Sequence, residues 1–206
     1  PPPPPPPPPP TPPTRRSSDL TLVEVDPERP DTVIAPMPLY HIYGFTMNVV
    51  GTFCTGGHSV LIPDPRDIGS MVETMKAHPF TALAGVNTLF VGLMQHPEFD
   101  NIDFSHVKGV IAGGAALVEE IASEWQRRTA SEIYEGYGLS ETASALSCNS
   151  EEHRQLGTVG RALPWMEVKI VDERGEALGA GAEGELLVRS EERRVGESGS
   201  WGGGGA

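Results

Sequence analysis

Cysteine and long apolar stretches are scarce in this sequence. Its two cysteines, Cys54 and Cys148, lie far apart and lack the spacing of metal ligands. This argues against a disulfide-rich scaffold and favours a reduced, cytoplasmic setting. No apolar run reaches the roughly 20 residues that a membrane-spanning helix needs. Peripheral contact with the inner membrane remains compatible with this composition. The chain does not open with a basic and apolar leader, so we expect no signal peptide.

Basic residues are also few. The 206 residues contain 15 lysines and arginines against 28 aspartates and glutamates, which gives a formal net charge of −13. A nucleic-acid-binding surface needs clustered positive charge to neutralise phosphates. The charge balance therefore argues against nucleic acid as a partner.

The two ends have compositions that folded domains do not use. Twelve of the first thirteen residues are proline, and such a tract forms an extended polyproline helix or stays disordered. Residues 14–20 and 189–196 resemble translated sequencing-adapter DNA, and glycines follow near the end. We predict that residues 1–20 and 189–206 are disordered. A docking role for the proline tract is the alternative.

The sequence between these ends predicts an α/β fold. Short apolar stretches alternate with segments of helical periodicity, as in βαβ units with a mostly parallel sheet. Residues 42–53 are apolar nearly all round, which predicts a buried helix. Asp67 is placed to cap a helix that follows it. The predicted strands are residues 32–35, 58–62, 80–84, 107–112 and 131–134.

The pattern changes after Gly157. Residues 166–171 and 185–188 read as antiparallel strands, with a turn at residues 172–175 between them. We therefore predict an α/β core over residues 21–156 and a small antiparallel β subdomain over residues 157–188.

The most informative stretch is residues 134–142, YEGYGLSET. Its glycines let the backbone approach a flat ring or a phosphate where a Cβ atom would clash. The hydroxyl of Ser140 beside the carboxylate of Glu141 suits a phosphate oxygen and Mg²⁺, which prefers hard oxygen ligands. From the residues alone, a glycine-rich connection that ends in a solvated turn explains the stretch equally well.

This stretch resembles the nucleotide motif of the adenylate-forming (AMP-binding) superfamily, which includes acyl-CoA synthetases, luciferases and the adenylation domains of peptide synthetases. Three further matches occur in the family's order: residues 38–45, residues 113–117, and residues 157–160 followed by 184–186. Residues 64–68 and 85–90 look most like bacterial long-chain fatty-acid CoA ligases. The resemblance implies ATP and Mg²⁺ as cofactors, with a fatty acid and CoA as substrates.

The resemblance also implies roles for individual residues. Tyr137 would stack on adenine, Ser140 would contact the α-phosphate, and Glu141 would bind Mg²⁺. His41 would lie beside the acyl-adenylate, where it orients substrate and screens charge. Residues that would line the nucleotide pocket are Gly113, Gly114, Ala115 and Ala116 on one wall, and Glu135, Gly136, Gly138 and Leu139 with Tyr137 and Ser140 on the other.

Three parts of the family pattern are missing from the sequence: the phosphate loop with its lysine, the aspartate that holds the ribose, and the C-terminal catalytic lysine. We therefore expect a central fragment of a ligase, with negligible adenylation on its own. The alternatives are an enzyme that activates aryl or other acids, and a non-catalytic nucleotide- or acyl-binding module.

Overall fold

The computed structural model of this chain describes residues 29–143, 145–164, 166–190 and 202–204. The proline-rich segment predicted to be disordered, residues 1–20, lies outside the described residues. In the part of the chain that the structure describes, no helix is long and apolar enough to cross a bilayer.

The structure is organised around a seven-stranded sheet with the order β2-β1-β3-β4-β5-β6-β7. The first five strands pair in parallel, and the last two are antiparallel. This confirms the predicted α/β fold with a mostly parallel sheet. The strands are β1 (Thr32–Ala35), β2 (His58–Leu61), β3 (Ala82–Gly85), β4 (Gly109–Ala112), β5 (Ile133–Tyr137), β6 (Ser147–Cys148) and β7 (Arg161–Ala162).

Helical segments connect the parallel strands. Asp67 caps α3 (Ile68–Ala77) as predicted, because its Oδ1 accepts a hydrogen bond from the Ser70 N–H at 3.0 Å. Arg127 and Arg128 lie in the last turn of α5, where positive charge complements the helix dipole. The segments are α1 (Ile42–Phe45), a π-helical stretch (Thr46–Gly51), α2 (Thr52–Cys54), α3 (Ile68–Ala77), α4 (Asn87–Gln95) and α5 (Glu119–Thr129).

The first helical connection differs from its prediction as a buried helix. Its fully buried residues are small or polar, namely Gly44, Asn48 and Thr52, which are four residues apart and share one face. Phe45 and Phe53 are exposed, the latter by 83% of its surface. A Cβ atom on Gly44 would overlap the backbone oxygen of Pro38, so this face approaches the preceding loop too closely for large side chains.

The hydrophobic core lies where α3, α4 and α5 cover the parallel strands. Trp125 is fully buried, and its ring packs edge-on against Phe90 and Phe104 at centroid distances of 5.1 and 5.5 Å. Its indole N–H donates to Ser131 Oγ at 3.0 Å, so the buried polar atom is satisfied. This packing fixes α4 and α5 on the sheet and thereby fixes the loops that precede them.

A second, antiparallel sheet contains β8 (Met166–Val171), β9 (Glu185–Ser190) and β10 (Gly202–Gly204). This agrees with the predicted small antiparallel unit. The change from one sheet to the other falls between β7 and β8, later than the boundary predicted at Gly157. In addition, β9 continues to Ser190 and β10 pairs with it, although residues 189–206 were expected to be disordered. Glycine can complete a ladder at the open edge of β9 because pairing needs only backbone groups.

Strand register brings three connections to the same edge of the large sheet. Gly85 pairs with Ala112, and Ala112 pairs with Glu135, so β3, β4 and β5 end side by side. In open parallel sheets, ligands bind in the crevice beyond the carboxyl ends of the strands. The loops that follow these strands are therefore expected to form a binding site.

Candidate functional site

A cleft of about 330 Å³ opens at this edge of the sheet, within the size range of small-molecule sites. Segments far apart in the sequence contribute to it: the start of α1, the end of β4, the turn after β5, and β6. The residues that line it are His41, Ile42, Tyr43, Met47, Ile111, Gly113, Gly114, Gly136, Tyr137, Gly138, Leu139, Ser140, Glu141, Ala145, Ser147 and Cys148.

The end of β5 carries part of the predicted motif within the strand. The sequence predicts a strand that ends at Tyr134, whereas β5 continues to Tyr137. Gly136 and Tyr137 are held there because they pair with Cys148 and Ser147 of β6. A two-residue strand such as β6 is too short to show period-two alternation, so its pairing cannot be read from the sequence.

Ser140 and Glu141 lie on a single 3₁₀ turn, Ser140–Thr142, and both are exposed. Thr142 stabilises this turn through the backbone of Leu139, the residue that precedes it. Its hydroxyl accepts a hydrogen bond from the Leu139 N–H and donates one to the Leu139 carbonyl, both at 3.1 Å. Because Thr142 satisfies the backbone at Leu139, the hydroxyl of Ser140 and the carboxylate of Glu141 remain free to face a ligand.

The opposite wall begins at the end of β4. Gly113 is packed against Tyr43, because a Cβ atom on this glycine would lie 3.1 Å from the phenol ring. Tyr43 donates its hydroxyl to the Ile111 carbonyl at 3.0 Å, and burial raises the pKa of this phenol. Gly114 has a φ of +80° with open space around it, so its backbone can be approached closely.

His41 lies at the mouth of the cleft and caps α1. Its Nδ1 accepts a hydrogen bond from the Tyr43 N–H at 3.2 Å. With Nδ1 occupied as an acceptor, the neutral ring carries its proton on Nε2. The side chain therefore offers an N–H donor, which suits a substrate oxygen and not the removal of a proton.

Nine of the twelve residues predicted from the motifs line this one cleft, and three do not. Ala115 and Ala116 are exposed on the loop beyond Gly114, and Glu135 is buried beneath that loop. Their predicted contact with a nucleotide stays a prediction. Sequence reasoning missed the lining residues contributed by β6 and by Met47, since only the fold brings them to the motif.

Charge in the cleft is sparse and acidic. Among the described residues that line the cleft, Glu141 is the only carboxylate, and none is lysine or arginine. The described residues contain no group of three or more histidines, cysteines and carboxylates that could hold a metal ion. Mg²⁺ commonly uses one or two protein carboxylates together with substrate phosphates. The exposed pair of Ser140 and Glu141 fits that arrangement.

Cys148 at the base of the cleft predicts unequal thiol reactivity. Burial raises the pKa of its thiol to about 12, so at pH 8 only about one in ten thousand is ionised. Cys54 is exposed. We expect an aromatic disulfide reagent to modify one thiol rapidly and the second only in denaturant. The Cys54→Ser variant should lose the rapid phase, and a rapid phase that persists there would contradict the buried position of Cys148.

Comparisons with known proteins give a family match that covers most of the chain. The profile of the family described as AMP-binding enzyme matches residues 16–193. The chain is 36% identical over 167 residues to the long-chain-fatty-acid–CoA ligase of Yersinia pestis. The matched region covers 81% of this chain and 30% of that protein. The chain therefore spans about 30% of the length of the curated relatives it matches.

Solved structures share the fold. The ATP-bound MatB of Rhodopseudomonas palustris superposes with a TM-score of 0.68 at 28% identity, covering 78% of this chain and 32% of that one. The anthranilate CoA ligase AuaEII, in complex with anthranoyl-AMP, superposes with a TM-score of 0.77 at 22% identity, covering 85% and 34%.

Proposed function

This chain belongs to the AMP-binding enzyme family, and we propose that it is the central part of an ATP-dependent ligase that joins long-chain fatty acids to CoA. In such a ligase, ATP and the carboxylate form an acyl-adenylate and pyrophosphate. The CoA thiol then displaces AMP to give a thioester. This conversion replaces a poor leaving group by AMP, and the protein contributes mainly positioning and electrostatic stabilisation.

One observation carries the proposal. The turn with Ser140 and Glu141, the glycines at 113 and 114, and His41 come from three separate parts of the sequence and line one cleft. Isolated motifs often arise without function, but a shared cleft requires that the fold bring them together.

In this proposal each lining side chain has a role. Tyr137 would stack on adenine, and Gly113 and Gly114 would leave room for the ring on the other side. The Ser140 hydroxyl would donate to a phosphate oxygen. The His41 Nε2–H would donate to an oxygen of the acyl group and screen its charge.

Glu141 would hold Mg²⁺, and the bound ion would supply charge neutralisation for the phosphates. The described residues that line the cleft provide no lysine or arginine for that purpose. Phosphate binding therefore needs the cation and protein groups that this described lining does not supply. For this reason we propose that the 206 residues bind nucleotide weakly and do not form adenylate by themselves.

The preference for long-chain acids is the finer part of the proposal. Its support is the 36% identity to the Yersinia pestis enzyme, whose name states that substrate. The apolar residues Ile42 and Met47 line the side of the cleft next to His41. An acyl chain that leaves the adenylate on this side would contact them.

Nucleotide binding by the purified chain tests the proposal. We expect AMP to bind, as measured by equilibrium dialysis, and the Tyr137→Ala variant to bind about tenfold more weakly or worse, because stacking of a base on an aromatic ring contributes roughly 1 to 3 kcal/mol. Pyrophosphate exchange with a fatty acid should stay at background in both proteins.

Tyr134→Ala is the matched control, because Tyr134 lies in the same strand but does not line the cleft. Equal loss of AMP binding in both variants would contradict a specific role of Tyr137 in stacking on adenine. Robust pyrophosphate exchange by the wild-type chain would overturn the proposal that it is inactive alone.

A further inference from the structure

Two side chains outside the cleft hold the loop that forms its glycine wall, and we propose that Asn87 and Glu135 are positioning residues for nucleotide binding. The loop, residues 113–118, joins β4 to α5. Its consequence for binding rests on the proposed function, whereas the contacts themselves do not.

Glu135 holds the loop from the side of β5. The Leu117 N–H donates to its Oε1 at 3.1 Å, across 18 residues of sequence. Both residues are buried, with Glu135 exposed by only 5% of its surface. A hydrogen bond to a carboxylate is stronger than one between neutral groups, and burial removes competition from water.

Asn87 holds the same loop from the side of β3. It is the first residue of α4, and its Nδ2 donates to the Ala116 carbonyl at 2.7 Å. Its Oδ1 accepts from the Val118 N–H at 3.2 Å. A carbonyl can only accept and a backbone N–H can only donate, so the two bonds also fix the orientation of the amide.

Together the two side chains restrain three consecutive residues of the loop through their backbone. This matters because the preceding residues, Gly114 and Ala115, are exposed and have side chains too small to anchor themselves. Gly114 adopts φ +80° with no neighbour that a Cβ would meet within 4 Å. The order of this wall must therefore come from outside the loop, and Asn87 at the start of α4 and Glu135 in β5 supply it.

Neither residue lines the cleft, so neither is expected to touch the nucleotide. The hydrogen bond to the Leu117 N–H uses a single acceptor atom of the Glu135 side chain, Oε1. Glutamine supplies the same acceptor without the charge. Glu135→Gln should therefore keep the hydrogen bond to the Leu117 N–H, whereas Glu135→Ala should lose it.

Amide hydrogen exchange tests the contacts directly. In Glu135→Ala we expect the Leu117 amide to exchange roughly 10- to 100-fold faster, the range for loss of a buried hydrogen bond to a charged group. In Glu135→Gln it should remain protected. Asn87→Asp keeps the acceptor for the Val118 N–H but loses the donor to the Ala116 carbonyl, which is then left without this partner. The Val118 amide should therefore exchange more slowly in Asn87→Asp than in Asn87→Ala.

Helix α3 provides the folding control, because none of the hydrogen bonds removed in these variants involves its residues and its amides should be unchanged in every folded variant. If Glu135→Ala fails to fold, the Glu135→Gln and Asn87 variants decide. A Leu117 amide that stays protected in a folded Glu135→Ala protein would overturn the proposal. So would Glu135→Gln exchanging as fast as Glu135→Ala.

AMP binding measured on the same proteins separates this inference from the proposed function. We expect Glu135→Ala to weaken AMP binding about tenfold and Glu135→Gln to restore it, because both effects pass through the same hydrogen bond. If the wild-type chain binds no AMP, the proposed function fails, while the exchange data still judge the contacts. If exchange changes as expected but AMP affinity does not, the loop is held without a role in binding and the positioning proposal is wrong.

Discussion

Replacement of Gly160 by alanine is expected to destabilise the chain by about 2 to 5 kcal/mol, from overpacking together with the cost of a left-handed backbone. Gly160 has a φ of +76°, and a Cβ atom there would overlap the backbone of Cys148 and Asn149. Backbone cannot move aside as the end of a flexible side chain can. The β6–β7 pairing must therefore separate, and Ser147 would then lose its hydrogen bond to the Val159 carbonyl at 2.8 Å.

Gly157 offers a matched control for this prediction. It has a similar φ of +74°, but a Cβ atom there meets nothing within 4 Å. Gly157→Ala should therefore cost only the strain of the backbone, about 1 to 2 kcal/mol. Urea denaturation followed by tryptophan fluorescence measures both variants. Equal losses would show that the contact with β6 contributes nothing.

The two glycines of this motif show what a sequence can and cannot reveal. The stretch from Gly157 to Gly160 matches the family pattern, yet the pattern does not say why each glycine is there. Both adopt positive φ, which a turn prediction anticipates. Only the tertiary structure shows that Gly160 also touches β6, a strand whose two residues carry no periodic signal.

The parallel core was predictable because its signals are local. Strands β1 to β4 and helices α3 to α5 each follow from their own stretch of apolar residues, and Asp67 marks the start of α3. The first helical connection was predicted wrongly for the same reason. Apolar residues on every side cannot indicate which face is buried, and the answer depends on the approach of Gly44 to the loop at Pro38.

For the candidate site, the sequence identified the residues that bear chemistry and missed those that arrange them. Ser140 and Glu141 stand out by residue type. The hydrogen bonds that position the site join Glu135 to Leu117 and Asn87 to residues 116 and 118, across 18 to 31 residues. Such pairings follow from strand order, which no single motif contains.

The largest functional effect is expected for Glu141. In the longer ligase to which we assign this segment, Glu141→Ala should lower the rate of adenylate formation roughly 100- to 1000-fold, the usual loss when one preorganised electrostatic group is removed. The reason is the scarcity of charge in the cleft: no other carboxylate lines it in the part of the chain that the structure describes. Pyrophosphate exchange at saturating ATP measures this loss, and Glu119→Ala, an exposed site outside the cleft, is the control.

Binding measurements on the 206-residue chain separate a metal-binding role of Glu141 from a general loss of structure. AMP without Mg²⁺ should bind wild type and Glu141→Ala alike, because stacking on Tyr137 does not involve the carboxylate. Binding of ATP should strengthen with added Mg²⁺ in the wild type and lose that dependence in Glu141→Ala, since Mg²⁺ bridges protein carboxylates and phosphates. Because Thr142 and not Glu141 holds the 3₁₀ turn, the variant keeps its backbone there. An unchanged response to Mg²⁺ in Glu141→Ala would show that a residue other than Glu141 binds the metal.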